Sequence, residues 1–297
     1  MKNIMMPYYL GCPLWSKKEW IGELFTQNAK PADYLGQYAS VFNTVEGNTT
    51  FYALPKEETV AKWEEKTPET FKFCFKFPQQ ISHNRRLKNA ESETRDFLQR
   101  LAPIASRLGP FFLQLPPSFG GDSFFSLVAF VNSLPTIFRY AVEVRHQDFY
   151  GGGHWEHALN DLLSERNIDR VLFDTRGLHA VMAEKADQAT REAQRRKPKI
   201  AVQVTATGDY PFVRFIGNPV IEENRKALEQ WVRKLAQWIA NEKRPFFFMH
   251  EADDFYAPRL ARYFHNIVRQ IMQGMPPLSE WPVEVEEIRA KQQMDLF

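Results

Sequence analysis

Cysteine is scarce in this sequence, and long hydrophobic runs are missing. Two cysteines, Cys12 and Cys74, stand among 297 residues. They are too few for a disulfide framework, so a reducing cytoplasm is the expected location. No run approaches the roughly 18 apolar residues of a membrane span, and the apolar stretch near the N-terminus is too short for a secretory signal, so we expect no membrane association. The formal net charge of +2 gives no global basic field, so any nucleic-acid contact would have to be local.

Eight short apolar runs dominate the remaining pattern, and each ends in a polar or charged residue. They recur about every 30–40 residues, with helix-like segments between them. This alternation predicts an α/β fold, a (β/α)8 TIM barrel whose strands end at one common mouth. We predict strands over residues 8–11, 41–46, 71–77, 111–115, 140–145, 170–174, 212–216 and 245–250.

One domain is predicted over residues 1–274, followed by a tail over residues 275–297. After Gly274 the sequence contains Pro276, Pro277 and Pro282 and then a run rich in Glu and Lys. That composition is typical of an extended segment rather than of a packed element.

Side-chain alternation along the strands predicts which residues face the barrel interior. In residues 71–77, FKFCFKF, the four Phe share one face, so Cys74 and Lys76 share the other. The same rule predicts an inward ring of three carboxylates and three cations near the strand ends. Two interpretations are open: a charge-balanced plug of ion pairs, or an active site, which we favour because TIM-barrel active sites lie at this face. The charged members of the ring are Glu46, Lys76, Glu143, Arg145, Asp174 and Arg214, with Gln114 and His250 beside them.

Three motifs closely resemble the YecE-like family, the domain of unknown function 72: VEGNTTFYALP (45–55), AVEVRH (141–146) and FVRFIG (212–217). GCPLW (11–15), FKFCFKFPQQISH (71–83) and LGPFFLQLPPSF (108–119) support it. The resemblance implies a TIM-barrel fold and no established reaction. The positions that these motifs carry over are Glu46, Asn48, Thr49, Thr50, Tyr52, Lys76, His83, Gln114, Glu143, Arg145, His146 and Arg214.

These residue types favour a site for an anionic ligand. Glu46 and Glu143 are predicted to act as an acid/base pair if their surroundings separate their pKa values, with Asp174 and His250 completing the catalytic set. Planar Arg side chains and Lys suit a phosphate or a carboxylate, and the polar side chains suit sugar or phosphate oxygens. The predicted substrate-binding residues are Asn48, Thr49, Tyr52, Lys76, His83, Gln114, Arg145, His146 and Arg214.

Two further chemistries are weighed and not favoured. Imidazole and carboxylate groups at strand ends could bind zinc or manganese, but the spacings HxH and HExxH are missing and Arg145 would repel a cation. We therefore expect no metal and no cofactor. Cys12 lies at a strand exit, where a small buried role is favoured over a nucleophilic one. The metal candidates are Glu143, His146, Asp174, His179, His250 and Glu251.

Two basic segments and the C-terminus suggest partners. RRKPK (195–199) and SHNRR (82–86) are either solvated charges or contacts to a phosphate backbone. The last five residues, QMDLF, resemble the peptide by which bacterial replication and repair proteins bind the sliding clamp, through Gln293, Leu296 and Phe297.

Three functions therefore stay open. The first is an enzyme, such as a hydrolase or lyase, acting on a small phosphorylated or sugar-like substrate. The second is a DNA-repair-associated nucleic-acid binding protein or phosphodiesterase recruited to the clamp. The third is a non-catalytic binding module.

Overall fold

The structure, a computed structural model, describes residues 6–294 and contains eight parallel strands in alternation with helices. All eight predicted strands are confirmed, with shorter bounds at most of them. They are β1 (Tyr9–Gly11), β2 (Thr44–Gly47), β3 (Lys72–Phe75), β4 (Phe111–Gln114), β5 (Tyr140–Glu143), β6 (Asp169–Asp174), β7 (Phe212–Ile216) and β8 (Phe246–His250).

The strands form a curved parallel sheet, which confirms the predicted α/β class. Six strands pair continuously in the order β1-β8-β7-β6-β5-β4, and β2 pairs with β3. Gln114 lies opposite Glu143 in neighbouring strands, and Ile216 lies opposite His250. The carboxyl ends of the strands therefore meet along one edge of the sheet.

Helices cover the outer face of the sheet. In α8 (Arg225–Ala240) the contact is made by one buried apolar stripe, as the 3.6-residue period predicts. The stripe consists of Leu228, Trp231, Leu235 and Trp238. The helices are α1 (Tyr34–Ala39), α2 (Glu57–Lys66), α3 (Glu91–Leu101), α4 (Phe124–Ser133), α5 (His154–Glu165), α6 (Arg176–His179), α7 (Gln188–Arg196), α8 (Arg225–Ala240), α9 (Ala257–Ile271) and α10 (Pro282–Met294).

A separate apolar cluster fills the inner face of the sheet beneath the polar strand ends. Cys74 belongs to it, whereas the neighbouring Phe73 and Phe75 pack in the outer core, as alternation along β3 predicts. The inner cluster supports the charged groups above it with rigid packing. Its members are Cys74, Phe112, Ala141, Val171, Phe212, Phe246 and Phe248.

The predicted extended tail is wrong for residues 282–294, which form helix α10. Pro282 is the first residue of this helix, a position that proline favours because its fixed φ suits the first turn. The start of the helix is anchored to α9: Arg262 donates to both carboxylate oxygens of Glu284, at 2.6 and 2.9 Å, and its guanidinium lies 3.8 Å from the centroid of the buried Trp281.

Helix α10 contains only part of the predicted clamp-binding motif. Gln293 lies in α10, whereas Leu296 and Phe297 lie outside the described residues. Across residues 6–294, no helix has the length and apolar character needed to cross a membrane.

Candidate functional site at the strand ends

Arg214 is the centre of a buried ion-pair network at the carboxyl ends of the strands. From β7, its Nε and Nη2 donate to the two carboxylate oxygens of Glu46 in β2, at 2.7 and 3.1 Å. Its Nη1 donates to Oε2 of Glu143 in β5 at 2.5 Å. One guanidinium therefore joins two carboxylates that are both completely buried.

Other side chains occupy the remaining positions around Glu46. Nε2 of His250 lies 3.2 Å from Oε1, and Nδ2 of Asn48 donates to Oε2 at 3.1 Å and to the carbonyl of Pro13 at 2.8 Å. Asp254 lies on the far side of the imidazole, 3.8 Å from Nδ1. We call Glu46, Glu143, Arg214 and His250 the paired cluster.

The pKa values of the paired carboxyls follow from this geometry. Burial alone would raise them, but Arg214 and His250 hold the pKa of Glu46 well below its usual range. Arg214 and Arg145 do the same for Glu143, against the same effect of burial. Both groups therefore stay ionised at neutral pH, and both accept hydrogen bonds from Arg214.

At the carboxyl ends of the neighbouring strands β3, β4 and β5, three polar side chains have groups without a hydrogen-bond partner in residues 6–294. Arg145 donates its Nε to Oε1 of Glu143 at 2.7 Å, while its two terminal Nη groups donate to no acceptor in residues 6–294. Lys76 forms no ion pair in the described chain; its Nζ lies 3.8 Å from the ring centroid of Phe51. Gln114, 8% exposed, likewise uses its amide in none of the hydrogen bonds there. We call Lys76, Gln114 and Arg145 the open edge.

Burial and the crowding of positive charge perturb the titratable groups at the open edge. Burial, with Arg214 and Arg145 nearby, lowers the pKa of Lys76 to about 7, although Glu143 opposes the shift. Burial, Lys76 and Arg145 lower the pKa of His83 to about 4. His83 belongs to a π-helical turn, Gln80–Asn84, and its ring meets Phe51 edge-on at a centroid distance of 5.0 Å.

The prediction that Asp174 faces the interior is wrong. Its carboxylate accepts from Nε1 of Trp231 in α8 at 2.8 Å and from Arg176 at 2.8–3.2 Å, on the helix side of the sheet. Phe173 takes the inward position instead, beneath the guanidinium groups of Arg145 and Arg214. Among the described residues, two carboxylates (Glu46 and Glu143) and three cationic side chains (Lys76, Arg145 and Arg214) therefore lie at the inner side. The predicted balance of three carboxylates and three cations is also wrong.

Several predicted ligand residues lie away from the charged groups. His146 points to the next turn, where its Nδ1 accepts from the amide of Asp148 at 3.3 Å. Tyr52 is 81% exposed and meets Phe51 edge-on, and Thr49 is exposed. Thr50 serves the backbone, since its hydroxyl donates to the carbonyl oxygens of Gly47 and Lys76.

Lys197 is a residue of this region that the sequence analysis did not assign to the strand-end site. It was part of the basic run 195–199, yet its Nζ reaches the backbone carbonyl of Glu251 at 3.3 Å, and burial lowers its pKa. No periodic signal marks it, because it lies in the loop after α7. Phe51 is a second such residue, visible in the sequence only as an aromatic residue within VEGNTTFYALP.

The metal and cysteine candidates do not converge. In the described part of the chain, no three His, Cys, Asp or Glu side chains come together to hold a metal ion. His179 contacts the carbonyl of Lys197 at 3.0 Å. Burial raises the pKa of Cys12 well above its usual value, which makes its thiol a poor nucleophile.

Comparison with known proteins places this arrangement in a family. The family model described as "Protein of unknown function DUF72" matches residues 9–284. The chain belongs to the DUF72 family. The resemblance seen in the three sequence motifs is thereby confirmed, and this membership brings no activity with it.

Curated DUF72-type relatives cover nearly the whole chain. UPF0759 protein YecE from Escherichia coli strain K12 is 40% identical over 274 residues, which are 92% of this chain and 96% of that protein. UPF0759 protein YecE from E. coli O157:H7 shows the same identity and coverage.

Solved DUF72 structures share the fold. A family member from Thermotoga maritima MSB8 aligns with a TM-score of 0.68 at 20% identity, over 88% of this chain and 99% of that chain. One from Enterococcus faecalis V583 aligns with a TM-score of 0.68 at 18% identity, over 92% and 98%.

Proposed function

We propose that this protein is an enzyme that binds a small anionic ligand, phosphorylated or sugar-like, at the open edge. One observation carries the proposal: the terminal nitrogens of Arg145 and the ammonium of Lys76 have no acceptor in residues 6–294, although both side chains are largely buried. Cationic side chains that lose most of their hydration gain from a charged partner, and these donor atoms stay accessible to a ligand from solvent, so an anion is the partner that completes them.

The charge count supports an anion over a cation. Glu46 and Glu143 are fully committed to Arg214, Arg145 and His250. The cations beside them exceed these carboxylates in number, so the local potential is positive. Positive potential in a low-dielectric recess raises the affinity for an anion.

The proposed position of the ligand follows from a closed (β/α)8 barrel. Two hydrogen bonds support closure on either side of the β2–β3 pair: the amide of Glu46 donates to the carbonyl of Cys12 at 3.2 Å, and that of Phe77 donates to Phe112 at 3.0 Å. In such a barrel the open edge lies at the C-terminal mouth, where ligands of this fold bind.

Each group at the open edge has a distinct role in this proposal. Arg145 contributes a planar pair of terminal nitrogens, which suits two oxygens of a phosphate or a carboxylate. The Gln114 amide is positioned to bind a further oxygen of the ligand. His83 is unprotonated at neutral pH, so it is the available proton acceptor beside Lys76.

The basic segment 82–86 gives the nucleic-acid alternative less support. Arg85 pairs with Glu93, and Arg86 donates to Ser118 and Ser123, so these cations of the segment 82–86 already have protein partners. Recruitment by the clamp and a purely binding role stay predictions.

Calorimetric titration with inorganic phosphate at low ionic strength tests the proposal. Arg145→Met should weaken phosphate binding by about tenfold or more, since it removes charge-assisted hydrogen bonds worth roughly 1.5–3 kcal/mol. Arg85→Met is the matched control, because it removes an equal charge that Glu93 already pairs. Equal weakening in both variants, or unchanged binding in Arg145→Met, would refute an anion site at the open edge.

A further inference from the structure

Lys76 differs from an ordinary anion-binding lysine in its surroundings. Phe51 lies against its ammonium, and no described carboxylate lies within ion-pair distance of it. Glu143, the carboxylate of the adjacent region, gives both of its oxygens to Arg145 and Arg214. The amine is thus held in an apolar and cationic recess, the environment that activates lysine nucleophiles.

The charge state of this amine at neutral pH follows from the same contacts. A pKa of about 7 leaves about half of the Lys76 side chains with a free lone pair at pH 7. Lys72 donates instead to the carbonyl of Ser106. Lys72 opens β3 and Lys76 directly follows its last residue, so the two lysines offer an internal comparison.

We propose that Lys76 is the nucleophile of this site and forms an imine with an aldehyde or ketone whose anionic group binds Arg145. This inference rests on the proposed anion site and specifies its substrate class. Lys76, Gln114 and Arg145 lie at or just beyond the carboxyl ends of the consecutive strands β3, β4 and β5. A carbonyl carbon bound beside Arg145 would therefore face the amine of Lys76.

The reaction balances without any oxidant or reductant. The nitrogen lone pair attacks the carbonyl carbon, and the π electrons move to the oxygen. One proton then passes from the nitrogen to that oxygen, which gives a carbinolamine. Loss of the remaining amine proton and cleavage of the C–O bond release water and leave C=N. His83 contacts the same Phe51 ring and is unprotonated, so it can accept the proton that the nitrogen releases.

Reductive trapping on the intact protein tests the inference. Glyoxylate, an anionic aldehyde, is added at pH 7 with cyanoborohydride, and the modified lysines are identified by peptide mass spectrometry. Lys76 should be labelled at least about tenfold faster than Lys72. Burial and Arg107 lower the pKa of Lys72 as well, but its ammonium donates to the carbonyl of Ser106, whereas the amine of Lys76 has no acceptor in the described residues. Lys76→Arg should lose this fast label while keeping the wild-type melting temperature within a few degrees.

Labelling by acetaldehyde, which carries no charge, tests the reactivity of Lys76 independently of the anion site. If Arg145→Met slows labelling by glyoxylate and leaves labelling by acetaldehyde unchanged, both proposals are supported. If phosphate binds in the calorimetric titration but neither aldehyde labels Lys76 faster than Lys72, the nucleophile is refuted and the anion site stands. If both aldehydes label Lys76 equally and Arg145→Met alters neither rate, the anionic substrate class is refuted.

Discussion

The paired cluster and the open edge lie side by side, yet they satisfy their charges in opposite ways. In the paired cluster every carboxylate oxygen of Glu46 and Glu143 accepts at least one hydrogen bond. At the open edge, Lys76 and the outer part of Arg145 have no acceptor in the described chain. The two groups meet at the end of β5, because Glu143 of the paired cluster accepts a hydrogen bond from Arg145 of the open edge. The contrast is consistent with our proposal that the open edge binds a ligand, whereas the paired cluster satisfies its charges within the fold.

The largest expected effect concerns stability. Arg214→Met leaves two buried carboxylates without their main partner and should lower the free energy of unfolding by about 3–5 kcal/mol. Arg145→Met should cost only about 1–2 kcal/mol, because Glu143 keeps Arg214. Urea denaturation at pH 7 measures both losses. Similar losses in the two variants would remove the distinction between the paired cluster and the open edge.

A smaller effect is expected from Glu251, a buried carboxyl outside both groups. Burial and the nearby Asp254 and Asp253 raise its pKa to about 8, against a hydrogen bond from the amide of Tyr256, and its Oε1 has no partner in the described residues. The folded state therefore retains a proton that the unfolded chain releases above the ordinary pKa of 4.5. The protonated Glu251 carboxyl contributes its full stabilisation of the fold below pH 4.5, and this stabilisation is lost as the pH rises through about 8.

Glu251→Gln removes this titration. As the pH rises from 5 to 8, the unfolding free energy of the variant should increase by about 3–4 kcal/mol relative to that of the wild type. Glu287→Gln, at an exposed position of α10, is the control and should follow the wild-type profile. If the unfolding free energy of all three proteins depends on pH in the same way, the buried Glu251 is ionised without a cationic partner. The ion pairs of the paired cluster would then not be needed to keep a buried carboxyl charged.

The smallest expected effect comes from the aromatic support of the open edge. Phe51→Leu keeps an apolar contact but removes the ring face from the Lys76 ammonium, an interaction of about 0.5–1 kcal/mol. Phosphate affinity should fall about two- to fivefold in the same calorimetric titration. A tenfold fall would assign Phe51 a direct contact with the ligand instead of a supporting one.

Side-chain alternation predicted much of this site because polar residues interrupt the inner face of most strands. Lys76 stands out at the end of β3 between phenylalanines, and Glu143 stands out at the end of β5 between valines. It failed at β6, where residues 171–173 are Val, Leu and Phe. A parallel strand is buried on both faces, so an apolar run does not show which face is which. Asp174 was therefore assigned to the wrong side.

The partners of the inward charges could not be read from the chain. Glu46 and Arg214 are 168 residues apart in the sequence, and their contact depends on how β2 and β7 meet around the curved sheet. The helix α10 was missed for a related reason. Its anchor is the contact of Trp281 and Glu284 with Arg262 of α9, whereas its local composition resembles that of an unpacked segment.

The single hydrogen bond from Nε of Arg145 to Glu143 has a thermodynamic consequence. It restricts the rotamers of the side chain in the free protein, while the outer nitrogens stay available. Immobilising such a side chain during binding normally costs about 0.5–1.5 kcal/mol. In this protein most of that conformational entropy is lost on folding, so a ligand should meet a preorganised guanidinium and bind with a smaller entropic penalty.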